Sequence, residues 1–156
     1  MKKNRIVQAM VAAVAIPALA LMTASPAAAD GRVQWKHAQS GYCLNAVQGV
    51  SAVHTFWNCN AANGVWWTEI QNSDGSWNMV DQWGRCLTAY WQDQVYVENC
   101  SSGRDQTNWY QRWWEDSTST GWKLTNRMTG RVLDSNGKGG DVYTLGNNDS
   151  IYQRWH

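Results

Sequence analysis

Gly130-Arg131-Val132-Leu133-Asp134-Ser135 begins 46 residues after Gly84-Arg85-Cys86-Leu87-Thr88-Ala89, which begins 43 residues after Gly41-Tyr42-Cys43-Leu44-Asn45-Ala46. A second anchor keeps the same period. Val65-Trp66-Trp67, Gln111-Arg112-Trp113 and Gln153-Arg154-Trp155 place equivalent tryptophans 46 and 42 residues apart. Between the anchors, Val95-Tyr96-Val97-Glu98-Asn99-Cys100 parallels Val142-Tyr143-Thr144-Leu145-Gly146-Asn147, with Val53-His54-Thr55-Phe56 as the poorer copy. Independent anchors sharing one period mark a repeat architecture, in which each unit buries its apolar face only against its neighbours.

Within each unit the local patterns are short and extended. Trp77–Val80, Arg85–Leu87, Val95–Val97 and Trp122–Leu124 read as strands, punctuated by clusters such as Asn72-Ser73-Asp74-Gly75 and Asn136-Gly137-Lys138-Gly139-Gly140. No stretch of ten or more residues carries a helical apolar period. These patterns predict an all-β chain of three repeats, about 32–76, 77–121 and 122–156, closed around a shared core as a β-trefoil with pseudo-threefold symmetry.

The first 29 of the 156 residues are set apart from the repeats. A basic start (Lys2, Lys3, Arg5), an apolar run from Ile6 to Met22 and the small residues Ala27-Ala28-Ala29 form the pattern of a secretory signal peptide cleaved after Ala29. The apolar run holds Gln8 and Pro17 and is short for a membrane span of about 20 residues. Residues 30–156 are then the mature domain, and the expected location is extracellular. Its ten basic residues against twelve acidic ones, with no basic stripe, argue against a nucleic-acid partner. All 12 Trp, 6 Tyr and the single Phe fall in these 127 residues, while Leu, Ile, Val and Phe together number only 18. A Trp or Tyr buries on the order of 150–250 Å². Indoles must therefore supply much of the core, Trp57, Trp83, Trp91 and Trp109 included.

Four cysteines in a secreted chain read as disulfides, and neither a Cys-x-x-Cys nor a nearby His pair suggests a metal. Each of the first two repeats holds one complete pair, so the repeat selects Cys43–Cys59 and Cys86–Cys100. No cofactor is implied. Catalysis finds little to work with: His37, His54 and His156 are the only histidines, no Gly-x-Ser-x-Gly is present, and Glu115-Asp116 reads as a solvated pair beside a loop.

Three repeats of about 40 residues, each ending near Gln-x-Trp, resemble the ricin-B-like or (QxW)3 lectin family. The third repeat, with Leu133-Asp134-Ser135, Val142-Tyr143-Thr144-Leu145 and Tyr152-Gln153-Arg154-Trp155, is most similar to the actinohivin-type subgroup, whose members bind terminal α-1,2-linked mannose on high-mannose glycans. The resemblance implies a secreted carbohydrate-binding protein without enzymatic activity, with a pocket formed by Asp134, Tyr143, Leu145, Asn148 and Tyr152. These residue types suit a sugar. A carboxylate accepts from vicinal hydroxyls in strong charged hydrogen bonds, an Asn both donates and accepts, and Tyr and Leu meet the apolar C–H face. The other repeats depart from the pattern. Thr88, Tyr96 and Tyr110 remain in the second, with Glu98 at the Leu place. Asn45, His54, Phe56 and Asn60 stand in the first, with Gly64 where the second Tyr belongs. Both imply weaker or altered pockets. The alternative reading is a secreted trefoil that binds a protein partner, inhibitor-like, through the 136–141 loop or the 102–108 stretch, with degenerate sugar pockets.

Overall fold

The computed structural model describes residues 30–91 and 93–156; the expected signal peptide lies outside the described residues. Eleven strands form one antiparallel system: β1 (Gly31–Val33), β2 (Cys43–Val47), β3 (Val50–Phe56), β4 (Trp67–Gln71), β5 (Trp77–Asp81), β6 (Arg85–Tyr90), β7 (Gln94–Asn99), β8 (Trp113–Thr118), β9 (Gly121–Asn126), β10 (Val132–Ser135) and β11 (Val142–Leu145). Single 3₁₀ turns occupy Trp109–Gln111 and Ile151–Gln153. The all-β expectation therefore holds. Pairing runs β5–β8–β9–β10–β11–β7–β6 and back to β5, a closed barrel of seven strands, with β4 and β1 continuing from β5 and β3 and β2 from β7. A second closure is made by the last residues. Trp122 and Trp155 exchange backbone hydrogen bonds of 2.7 and 3.0 Å, and Lys36 and His156 exchange a pair of 2.8 Å. His156 is thus tied by its backbone to the segment before β2.

The repeat is visible atom by atom. Hairpins β2–β3, β6–β7 and β10–β11 share one register, in which Asn45 faces His54, Thr88 faces Tyr96 and Asp134 faces Tyr143. Below these pairs, Trp67, Trp113 and Trp155 are fully buried, and each indole N–H donates to the backbone carbonyl of its own repeat's leucine: Leu44 at 3.1 Å, Leu87 at 2.9 Å and Leu133 at 3.2 Å. A buried indole N–H without an acceptor would cost about 1–3 kcal/mol. The leucine of the Gly-x-x-Leu anchor and the tryptophan of the second anchor recur together because the leucine backbone supplies that acceptor. Leu44, Leu87, Leu133, Leu124 and Met79 fill the space between the three indoles.

The disulfides are Cys43–Cys59 and Cys86–Cys100, each within its repeat as expected, across separations of 16 and 14 residues. Loops of this size contribute about 3 kcal/mol each by restricting the unfolded chain.

Two expectations fail. Trp57 and Trp91 are 67% exposed and Trp109 is 44% exposed, so these indoles lie on the surface; Trp83 is partly buried and packs on the core. Glu115 lies within β8, not beside a loop, and alternation puts it on the face of Trp113, just as Glu69 on β4 shares the face of Trp67. The two carboxyls meet each other there, and Glu69 also meets Trp35.

Candidate sugar-binding site

Strand alternation brings the third-repeat candidates together. Asp134 of β10 and Tyr143 of β11 are directly paired, and two-residue spacing puts Leu145 on the same face as Tyr143. The chain then runs from Gly146 to the 3₁₀ turn carrying Tyr152, and Gln153 holds that loop. Its Nε2 donates to the Gly146 carbonyl at 2.9 Å, and its Oε1 accepts the Asn148 backbone N–H at 3.0 Å. All five expected residues line one open pocket of about 410 Å³, together with Asn136 and Ser150, which the sequence reading missed. Asn136 directly follows the end of β10, two residues beyond Asp134, so extending the strand's alternation by one residue would reach it. Ser150 gave no signal.

The electrostatics suit a polar ligand held against rings. Asp134 is 2% exposed, and burial raises its carboxyl above the usual range, opposed by hydrogen bonds from Gln153 and Tyr143 and by the nearby His37 ring. Burial and the facing Asp134 carboxyl push the Tyr143 hydroxyl up. His37 is fully buried behind the pocket, its Nε2 3.0 Å from the Tyr152 carbonyl oxygen and its Nδ1 2.9 Å from Ser40 Oγ. Desolvation lowers its pKa, so the ring stays neutral near pH 7. Asn148 Oδ1 accepts the Ser150 N–H at 3.0 Å, closing a turn. Leu145 and Tyr152 stand at the rim, 36% and 41% exposed.

The other hairpins differ. In the second repeat the Gln clamp persists: Gln111 donates to the Asn99 carbonyl at 3.1 Å and accepts the Ser101 N–H at 2.9 Å. Its Nε2 also donates to Glu98 Oε1 at 2.9 Å, so Glu98 is engaged within the protein. Thr88 is buried, its hydroxyl donating to the Cys86 carbonyl at 3.1 Å. Tyr90 aligns with Asn136, and its ring lies 4.5 Å from that of Tyr110, the residue aligned with Tyr152. Trp91 follows, with its backbone at φ +47°, where the third repeat has Gly137. In the first repeat Asn45, His54 and Phe56 line a pocket of about 520 Å³; Asn60 does not line it, whereas Asn63 and Trp83 do.

Among the described residues no cluster of three or more His, Cys, Asp or Glu could hold a metal ion, and no helix is long and apolar enough to cross a membrane.

No family model matches the chain, and neither does any curated protein. Solved structures do. The designed threefold-symmetric protein ThreeFoil is 20% identical, with 81% of this chain and 97% of that chain covered and a TM-score of 0.70. SeviL, solved bound to asialo-GM1 saccharide, is 17% identical over 81% of this chain and 95% of its own, with a TM-score of 0.64. The cytolethal distending toxin of Haemophilus ducreyi is 18% identical over 80% and 81%, with a TM-score of 0.66. At these identities the likeness is one of fold.

Proposed function

We propose that the protein is a secreted lectin of β-trefoil architecture, cleaved after Ala29, whose third-repeat pocket holds the terminal α-1,2-linked mannose of a high-mannose glycan or glycoprotein. The observation that carries this reading is the convergence of Asp134, Tyr143, Leu145, Asn148 and Tyr152 on one pocket, with a buried carboxylate at its base and aromatic rings at its sides. Asp134 accepts from two neighbouring hydroxyls of the sugar. Asn148 donates from its free amide side, since its Oδ1 is spent on Ser150. Tyr143, Tyr152 and Leu145 cover the C–H face. The two disulfides fit an oxidising, extracellular compartment. The function is binding, not catalysis, and no cofactor takes part.

Calorimetric titration of α-1,2-mannobiose into the mature protein and into Asp134→Ala tests the reading. A lost charged hydrogen bond is worth about 1.5–3 kcal/mol, so the variant should bind at least about tenfold more weakly. Unchanged binding by the variant would sink the site assignment. Absence of binding to any mannoside, with a protein captured in its place, would favour the partner-binding alternative.

A further inference from the structure

We propose that the first-repeat pocket is a second sugar site with its own selectivity, taking a 2-acetamido sugar where the third repeat takes a neutral hexose. The inference rests on the lectin reading and extends it to a pocket that differs at the positions of Asp134, Tyr143, Leu145 and Tyr152.

Size is the first difference. Gly64 stands where Tyr152 closes the third pocket, and the first pocket is the larger, about 520 Å³ against about 410 Å³. The ring cannot be restored there. Gly64 has φ +84°, and a Cβ would lie 2.3 Å from the Ala46 carbonyl oxygen and 2.5 Å from Asn45 Nδ2. The Asn45 amide therefore occupies the place a larger residue would need. Glycine alone fits beside it.

Polarity is the second. Asn45 replaces Asp134 at the base of the pocket and is only 5% exposed. A carboxylate accepts and cannot donate, which matches paired hydroxyls; a carboxamide offers both a donor and an acceptor in one plane, which matches another amide. His54, facing Asn45 across the hairpin where Tyr143 faces Asp134, adds a further group able to donate or accept. Without a charged acceptor a plain hexose loses its strongest contact, whereas an acetamido group finds its complement.

The walls are the third. Phe56 replaces Leu145, and Trp83 reaches in from the β5–β6 turn of the next repeat. Trp83 is held there from below by the core and from the side by the Arg85 guanidinium, 5.3 Å from its ring centroid. The corresponding turn of the first repeat sets Gln39 beside the third pocket's loop, with its Oε1 3.1 Å from where a Gly137 Cβ would stand. The residue aligned with Trp83 in that turn is Ser40, whose Oγ lies 2.9 Å from His37 Nδ1; an indole at this place offers an apolar surface for the acetamide methyl and for the sugar's C–H face, and neither Ser40 nor Gln39 does. Trp83 is thus the residue that sets the selectivity of the first pocket.

The test titrates N-acetylglucosamine, N-acetylgalactosamine and α-1,2-mannobiose separately into the mature parent, Asp134→Ala, Trp83→Ala and Ala62→Trp, with line broadening of the sugar acetyl signal as a second readout. Ala62 is exposed on the pocket's loop, so Ala62→Trp blocks the mouth without touching the core, and it carries the test if Trp83→Ala folds poorly. At least one acetamido sugar should bind the parent and bind Asp134→Ala within twofold, while Trp83→Ala and Ala62→Trp lose it tenfold or more and keep mannobiose. Binding of an acetamido sugar that disappears in Asp134→Ala, survives Ala62→Trp, or yields to mannobiose in competition overturns the proposal, as does binding of neither acetamido sugar. Failure of mannobiose alone would overturn the third-repeat reading and leave this one standing.

Discussion

Replacing Glu115 by Gln should make the protein more stable in alkaline solution and flatten the decline of its stability with pH. Glu69 and Glu115 point to the same side of the sheet as Trp67 and Trp113 and meet there, with Glu69 also against Trp35 and only 7% exposed. Burial and their mutual repulsion raise Glu115 to about 9, and burial raises Glu69 to about 7. The unfolded chain gives up both protons near pH 4.3, so between about pH 5 and pH 9 the native state holds more protons than the unfolded one. Stability contributed by the pair is therefore fully present in acid and falls as pH rises through these raised values, by at most about 1.4 kcal/mol per pH unit for each group that stays protonated in the fold. Coulomb's law gives the same scale: a second negative charge about 4 Å away at an effective dielectric of about 20 costs about 4 kcal/mol. Glu115 is only partly buried, so solvent reduces this, and a net loss of about 2–3 kcal/mol from pH 6 to pH 9 is expected. A glutamine donates to the Glu69 carboxylate without needing a proton, which removes the second charge. For a domain of this size, 1 kcal/mol moves Tm by roughly 3–5 °C. Scanning calorimetry at intervals from pH 5 to pH 10 should show Tm of the parent falling by roughly 6–15 °C relative to Glu115→Gln. Parallel curves for the two proteins would refute the reasoning, since every other titrating group is common to both.

Trp91→Gly replaces a bulky residue at φ +47° with one that adopts that backbone freely, and it should leave stability unchanged or raise it by about 1 kcal/mol, read from urea unfolding. Trp155→Phe strands the Leu133 carbonyl and opens space in the core; it should cost at least about 1–3 kcal/mol in the same experiment, while Trp57→Phe on the surface should fall within about 0.5 kcal/mol of the parent. Because burial raises the Asp134 carboxyl, mannobiose affinity should decline as pH falls through a midpoint above the ordinary Asp value of about 3.9; an affinity constant from pH 7 to pH 4 would contradict a role for the ionised group.

The sequence makes the scaffold legible where a physical constraint recurs. The Trp–Leu hydrogen bond must be satisfied once in each repeat, so the Gly-x-x-Leu and Trp anchors leave a periodic trace, and the register it sets places each cysteine pair within one repeat. The third-repeat cluster is legible for a similar reason, since alternation along β10 and β11 orders Asp134, Tyr143 and Leu145 before any loop is placed. What stays hidden depends on position around the barrel. A shortage of aliphatic residues makes every indole a candidate for the core, yet nothing in one dimension separates Trp113 from Trp91, which lies in the turn just after β6 and is exposed. Glu115 beside Asp116 reads as a solvated acidic pair until alternation from Trp113 fixes its side. Trp83 belongs by sequence to the second repeat and by contact to the first pocket, an exchange that reading within repeats misses. Tyr90 is its counterpart: Tyr96 and Tyr110 suggest a surviving second pocket, and the ring resting on Tyr110 alters it.

The division of the 12 tryptophans has an optical consequence. Trp67, Trp113 and Trp155 are sealed from solvent, and each donates its N–H to a fixed carbonyl. Their emission belongs at short wavelength, and iodide should not quench it. Trp57 and Trp91 stand in water and should emit to the red and quench readily. Trp83 lies between these classes, at the wall of the larger pocket. Selective quenching therefore separates three reports in one spectrum: the closed barrel through its buried indoles, the surface through its exposed ones, and occupancy of the first pocket through the indole that a ligand would shield.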